Sequence, residues 1–272
     1  MADPAHWGLR RRVLDLLDTV QLARPATRVY ELALAGRSIL TRGPEADGLP
    51  LPPARLRAQA GPRHADARFF LRSGEQHAQL IRELLGEQGA SVEELEAILD
   101  WGCGCGRVLR HWSTLPPGRV FGCDISPKMV EWCVEHLVFA EVEQNELSPR
   151  LPYEDGKFGL VYAFSVMTHL NEELQHAWIR ECRRVLESGG YFLFSTLGAY
   201  YLRLGRLSEP EQHAFEAGKL VVLYEGSPGT SLCSAYHPPE YVRDTLAADF
   251  ELVSTRFAVD YGRHDVHLLR KP

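Results

Sequence analysis

A chain of 272 residues with 45% hydrophobic and 24% charged side chains has the ordinary mix of a globular protein, with length for one large core and a smaller appendage. Its formal net charge of −6 and thinly spread Lys and Arg argue against the basic stripe that nucleic-acid backbones require. No apolar stretch nears the ~20 residues that cross a bilayer, and MADPAHWGLRRR lacks the apolar core of a secretory signal.

The six cysteines, at 103, 105, 123, 133, 182 and 233, form no CxxC pair and read as reduced thiols of a cytoplasmic protein. Cys103 and Cys105 make a CxC pair, but no second Cys/His pair stands at ligand spacing, so no metal is expected.

In chain order, residues 8–40 read as amphipathic helix. Val13, Leu16, Leu17 and Val20 make one stripe, and Tyr30, Leu32, Leu34 and Leu40 suggest a second helix after Pro25. The Pro- and Gly-rich stretch 43–63 reads as an extended connection, closing an N-terminal helical extension over 1–63. A main domain is expected over 64–272. Within it HAQLIRELL sets His77, Leu80, Ile81, Leu84 and Leu85 on one helical face, and Ser91 with Glu94 resembles a capping box before a short helix.

Strands are expected at 97–101, 119–123, 138–142, 158–166 and 191–196. Helices fall between them: PKMVEWCVEHL, and NEELQHAWIRECRRVL with Asn171 as N-cap and Gly189–Gly190 as its stop. Apolar strands alternating with helices predict a parallel sheet covered on both faces. The last stretch, FELVSTRFAVDYGRHDVHLLRKP, gives two strands with no helix between, hence an antiparallel hairpin at the sheet edge.

Such sheets bind ligands at the carboxyl ends of their strands, where strand order reverses. The first strand ends in DWGCGCGR, with Gly102, Gly104 and Gly106. A nicotinamide dinucleotide site wants GxGxxG, and Arg107 occupies the position that spacing needs. Asp124 ends the second strand twenty-two residues beyond Gly102, where a carboxylate accepts both ribose hydroxyls. NAD and adenosyl cofactors share that requirement, so Asp124 alone separates neither. A solvated turn residue or helix cap is its structural alternative. Met129 is needed as core in any case, and Trp101 reads as packing beside the turn.

In this order, ILDWGCGCGR, FGCDISPKMV, LPYEDGKFGLVYAFSVMTHL and RVLESGGYFLFST resemble the class I S-adenosylmethionine (SAM)-dependent methyltransferases, above all the small-molecule and natural-product branch. The likeness is close over 97–196 and runs in outline over 64–272. It implies an α/β, Rossmann-like, seven-stranded and mostly parallel sheet in the order 3-2-1-4-5-7-6, strand seven antiparallel, with helices on both faces. It also implies SAM as cofactor and S-adenosylhomocysteine (SAH) as product. Asp100 and the backbone of Gly102, Cys103 and Gly104 would hold the methionine part, and Asp124 the ribose. Ile125 and Met129 would pack on the adenine, with Asn145 or Glu146 at its amino edge. Family members often place an acidic residue near 145, and Asn145 departs from that. Ser165 and Val166 would line the sulfonium.

Methyl transfer is an in-line displacement, so positioning the acceptor and excluding water are the main tasks. A hydroxyl acceptor must also lose a proton, which suits a histidine. His169 in SVMTHL lies just past strand four, and its structural alternative is a helix-terminus histidine bonded to backbone. His237 in AYHPPE is a second acceptor-side candidate. The long, aromatic-rich stretch 197–237, with a helix in GAYYLRLGRL and an added strand in GKLVVLYEG, reads as a lid or acceptor wall, with a homodimer contact as the competing reading. The expected reaction is methylation of a small molecule, at oxygen of a sugar or secondary metabolite. N-methylation and a SAM-binding protein without turnover are the rivals. FSVM stands where a nucleic-acid enzyme would carry an NPPY-type tetrapeptide, so no nucleic-acid partner is expected, and no membrane.

Overall fold

The computed structural model describes residues 11, 13–17, 48–260 and 263–272. Val20 and the second expected N-terminal helix lie outside them. Seven strands carry the main sheet: β1 (Ile98–Trp101), β2 (Val120–Asp124), β3 (Glu141–Gln144), β4 (Phe158–Ala163), β5 (Leu186–Leu197), β8 (Glu251–Asp260) and β9 (His264–Arg270). Their order is β3-β2-β1-β4-β5-β9-β8, with β1 to β5 parallel and β9 antiparallel to both neighbours. With β8 as the sixth core strand and β9 as the seventh, this is the expected order 3-2-1-4-5-7-6. Two short strands inside the insertion, β6 (Val221–Leu223) and β7 (Ser234–Tyr236), form a hairpin. It joins the sheet through Leu197 and Tyr236, past the last β4–β5 pair at Ala163 and Phe194.

The central strands are apolar throughout because both faces are covered. Every residue of β1 and β4 is buried, the pattern of a two-sided parallel sheet. Ile98, Val120, Leu160 and Leu193 pack towards helices α2 (Ala67–Gly86) and α3 (Pro127–His136). Leu99, Phe121, Val161 and Phe192 pack towards α4 (Glu172–Val185), whose Trp178 stacks on Trp101 with ring centroids 4.6 Å apart. Asn171 caps α4 as expected, its side chain accepting from the Leu174 amide at 3.1 Å. No helix among the described residues is long and apolar enough to cross a membrane.

Local expectations fail where long-range contacts decide. Strand β3 begins at Glu141, because Leu137 is buried behind α3 and the chain turns over Val138–Ala140 before pairing. β4 stops at Ala163, and Ser165 takes φ 61° ahead of a 3-10 turn over Met167–His169. The Gly189–Gly190 pair does not stop α4, which ends at Val185; it forms a bulge inside β5. A Cβ at Gly190 would lie 3.0 Å from the Glu187 carbonyl and 3.1 Å from that of Phe158. Ser91 starts no helix and instead accepts from the Glu93 amide at 3.2 Å.

The described part of 43–63 is not extended. Helix α1 (Ala54–Gln59) and a 3-10 turn (Pro62–Ala65) fold around buried Arg57, whose guanidinium donates to the carbonyls of Pro52, His64 and Ala65. Within the insertion, Ala199–Leu204 is a 3-10 helix and α5 (Glu209–Glu216) begins on a Ser208–Glu211 capping box. Arg11 and the helical residues 13–17 meet this insertion: Arg11 pairs bidentately with Glu211, at 2.7 and 2.6 Å, and Asp15 accepts from Tyr224 at 2.8 Å. A short α6 (Pro239–Tyr241) follows β7 and runs on into a π turn over Val242–Leu246.

Candidate functional site

The carboxyl ends of β1, β2 and β4 open onto a cleft of about 1120 Å³. The turn after β1 forms its floor, and its glycines serve different ends. Gly102 has φ 78°, and a Cβ there would lie 2.3 Å from Val166 Cγ2, so packing as well as conformation demands glycine. At Gly104, φ 56°, a Cβ would meet only Met129 Sδ, at 3.5 Å. Its backbone is therefore left open for close approach by a ligand.

Two acidic side chains flank this turn. Asp100 is buried and hydrogen-bonded to the Tyr162 hydroxyl, which accepts from Trp112 Nε1 at 2.8 Å. Its Oδ2 has no partner, and burial pushes its carboxyl up to about 7, partly offset by the Tyr162 bond and by Arg107. Asp124 sits at the end of β2, its Oδ2 accepting from the Gly104 amide at 2.9 Å and its Oδ1 from the Ser126 amide at 2.8 Å. Burial raises its pKa too, and those two amides pull it back. Its carboxylate thus ties the glycine turn to the start of α3, and with about four acceptor sites in all it keeps capacity for further donors.

Beyond β3, Asn145 is buried, with Nδ2 donating to the Glu146 carbonyl at 2.8 Å and Oδ1 without a partner. Asp100 Oδ2 and Asn145 Oδ1 are thus two buried acceptor atoms on cleft-lining residues that make no hydrogen bond. Cys103, Ile125, Met129 and Glu146 also line the cleft. The amide of Ser165 is held by Ser195 Oγ at 2.8 Å, and Val166 follows it along the rim.

His169 ends the 3-10 turn after β4 and lines the cleft, half-buried. Its Nδ1 lies 2.7 Å from the Cys233 carbonyl. A carbonyl only accepts, so Nδ1 carries the hydrogen and, in the neutral ring, Nε2 carries the lone pair. The backbone bond of the structural alternative is present, made to Cys233 across the cleft rim. His237 is not brought to the cleft. It is buried behind β7 with Nε2 3.0 Å from Gln175 Oε1, and burial, with His267 nearby, lowers its pKa to about 3. The expected acceptor-side role for His237 is corrected accordingly.

The sequence reading missed other lining residues. Arg55, Arg63 and His64 come from the Arg57-stapled segment, and Arg263 and His264 from the β8–β9 turn; Tyr201 and 229–232 line the cleft from the stretch expected as a lid or acceptor wall. His77, expected only as a helix-face residue, stacks on Phe164 at 3.8 Å and accepts from Arg107 Nη1 at 2.9 Å. Its place beside an apolar run was the sole signal. All six cysteines are free and buried, and among the described residues no group of three or more His, Cys, Asp and Glu is arranged to hold a metal ion.

In comparison with known proteins, residues 98–190 match a family model described as a methyltransferase domain. A malonyl-[acyl-carrier protein] O-methyltransferase of Herminiimonas arsenicoxydans is 34% identical over 104 residues, 37% of this chain and 36% of that one. A 27-O-demethylrifamycin SV methyltransferase of Amycolatopsis mediterranei is 31% identical over 102 residues, 35% of this chain and 36% of that one. The chain spans only about a third of the length of these two curated relatives. Among solved structures, the glycopeptide N-methyltransferase MtfA complexed with SAH superposes with a TM-score of 0.51 at 16% identity, over 73% of this chain and 90% of that one, a likeness of fold.

Proposed function

From the premise that residues 98–190 are a methyltransferase domain set in the class I fold of SAM-dependent methyltransferases, we propose that this chain transfers the methyl group of SAM to an oxygen of a small-molecule acceptor, a sugar or secondary metabolite. The observation that carries this reading is the pair of unpartnered buried acceptors, Asp100 Oδ2 and Asn145 Oδ1, at the ends of β1 and β3, with the Asp124 carboxylate between them. SAM offers donors in the same order, an ammonium, a ribose diol and an adenine amino group. NAD offers no ammonium to Asp100. When bound, SAM supplies an electrophilic methyl on a sulfonium and leaves as SAH.

The chain's own residues do the rest. Asp100 binds the ammonium, and the open backbone at Gly104 lets the methionine part lie close to the turn. Asp124 accepts from the ribose, Ile125 and Met129 flank the adenine, and Asn145 accepts from its amino group. Ser165 and Val166 hold the methyl end at the exit of β4. His169 Nε2 takes the proton as a hydroxyl acceptor attacks, its ring fixed by the Cys233 carbonyl. The printed activities of two relatives, both O-methylations or modifications at a named oxygen, support oxygen over nitrogen.

Calorimetric titration should give saturable binding of SAM and SAH and none of NAD, and incubation with methyl-labelled SAM should transfer label to a small-molecule acceptor. Tight NAD binding without SAM binding overturns the reading.

Asp124→Ala is expected to weaken SAM binding by about 1.5–3 kcal/mol, the scale of hydrogen bonds to a charged group. Because both carboxylate oxygens hold backbone amides, the melting temperature should fall as well. A lowered melting temperature with unchanged SAM affinity would make Asp124 a cap alone.

A further inference from the structure

One loop of the insertion reaches the residues at the adenine end of the cleft. Gly229, Thr230, Ser231 and Leu232 all line the cleft. Gly229 bears on both Ile125, which follows β2, and Leu147, two residues beyond Asn145. A Cβ at Gly229 would lie 2.8 Å from Leu147 Cδ1 and 3.4 Å from Ile125 Cδ1. Its φ of 73° is left-handed, so conformation and packing both call for glycine in this seat. Leu147 is itself held in place, its carbonyl accepting from Trp178 Nε1 at 3.1 Å.

The loop is fastened at both ends to one residue. The Gly229 amide donates to the His169 carbonyl at 2.8 Å, and His169 Nδ1 donates to the Cys233 carbonyl at 2.7 Å. Between these ends Thr230 Oγ1 donates to the Ser227 carbonyl at 2.7 Å and accepts from the Leu232 amide at 3.4 Å. Leu232 and Cys233 are buried, which anchors the far end. The Gly229 end depends on one hydrogen bond and its contacts with two side chains.

An adenine ring is apolar on both faces and binds best in a site that encloses it. Ile125 is 41% exposed, so the apolar wall at this end of the cleft is not closed by the sheet and its helices alone. Enclosure also keeps water from the reacting sulfonium. We propose that residues 229–232 are the cover of the cofactor's adenosine end rather than a wall for the acceptor, and that SAM enters and SAH leaves only when the Gly229 end lifts off Leu147 and Ile125. The proposal rests on the methyltransferase reading above and adds to it the part of the chain that gates cofactor exchange.

The test takes the full chain with SAH and with 5′-methylthioadenosine, which keeps the adenosine and lacks the amino-acid end. Both ligands should slow hydrogen exchange over 229–232 by about tenfold or more, because the Gly229 amide exchanges only when its bond to the His169 carbonyl opens. Gly229→Val puts a β-branched side chain into left-handed backbone and against Leu147. It should speed dissociation of both ligands about tenfold and in the same proportion. Asp100→Asn, by contrast, should weaken SAH and leave 5′-methylthioadenosine nearly unchanged. Gly226→Ala, where a Cβ would meet no described atom within 4 Å, should alter neither ligand, and melting curves confirm that each variant is folded. SAH binding that leaves exchange over 229–232 unchanged overturns this proposal and leaves the methyltransferase reading standing. So does a Gly229→Val variant that releases both ligands at the normal rate, or that releases SAH faster but not 5′-methylthioadenosine. Failure of SAH to bind the unaltered protein overturns both.

Discussion

Replacing His169 with asparagine is expected to lower the rate of methyl transfer by ~10²–10⁴-fold, the usual contribution of a positioned general base, with SAM affinity nearly unchanged. Asparagine is chosen because its amide Nδ2 can still donate to the Cys233 carbonyl, which Nδ1 now reaches at 2.7 Å. The variant keeps the tie to the 229–233 loop and removes only the Nε2 lone pair. His169→Ala should lose the same factor and in addition raise the acceptor KM, since the tie is gone. Single-turnover measurements with saturating acceptor read the chemical step, and added imidazole should restore part of the lost rate in His169→Ala. Full turnover in His169→Asn would show that the attacking oxygen arrives without a proton, as a carboxylate does, or that positioning alone suffices.

The parts of this molecule that the sequence makes legible are those set by local physics. Strands buried on both faces appear as unbroken apolar runs, so β1, β2, β4 and β5 can be read directly. A side-chain cap acts within one turn, and Asn171 announces α4. The cleft residues at the ends of β1, β2 and β3 are legible for a related reason: they sit at fixed offsets from strand ends. The lining drawn from segment 55–64 is not. Prolines in 43–63 suggest an extended connection, yet Arg57 folds the segment by gathering carbonyls from Pro52 to Ala65, a tertiary device with no propensity signal. The Trp112–Tyr162–Asp100 chain joins residues 50 positions apart, so nothing near Asp100 foretells its environment. His237 misleads in the opposite way. It lies in an insertion expected over the strand ends, but pairing of β7 with β5 ties its amide to the Leu197 carbonyl and its ring meets Gln175 of α4.

Asp100→Asn is expected to weaken SAM binding by roughly 3 kcal/mol, about two orders of magnitude, because it removes one member of a buried charge pair. The same substitution should stabilise the ligand-free protein at alkaline pH. Burial moves this carboxyl from its usual 3.8 to about 7, so between those values the folded chain holds a proton that the unfolded chain has lost. Folding stability from this group is therefore greatest below about pH 4 and falls by up to about 1.4 kcal/mol per pH unit as pH rises towards 7. The asparagine variant has no such slope. SAM reverses the balance, since its ammonium favours the ionised carboxylate. Binding near pH 6 should therefore release close to one proton, and affinity should drop up to about tenfold per unit as pH falls below 7. Calorimetry in two buffers of different ionisation enthalpy measures that proton, and melting curves of both proteins at about pH 5 and pH 8 measure the apo slope. An affinity flat with pH, with no proton released, would mean that Asp100 meets no cation and that its orphaned oxygen faces something other than SAM.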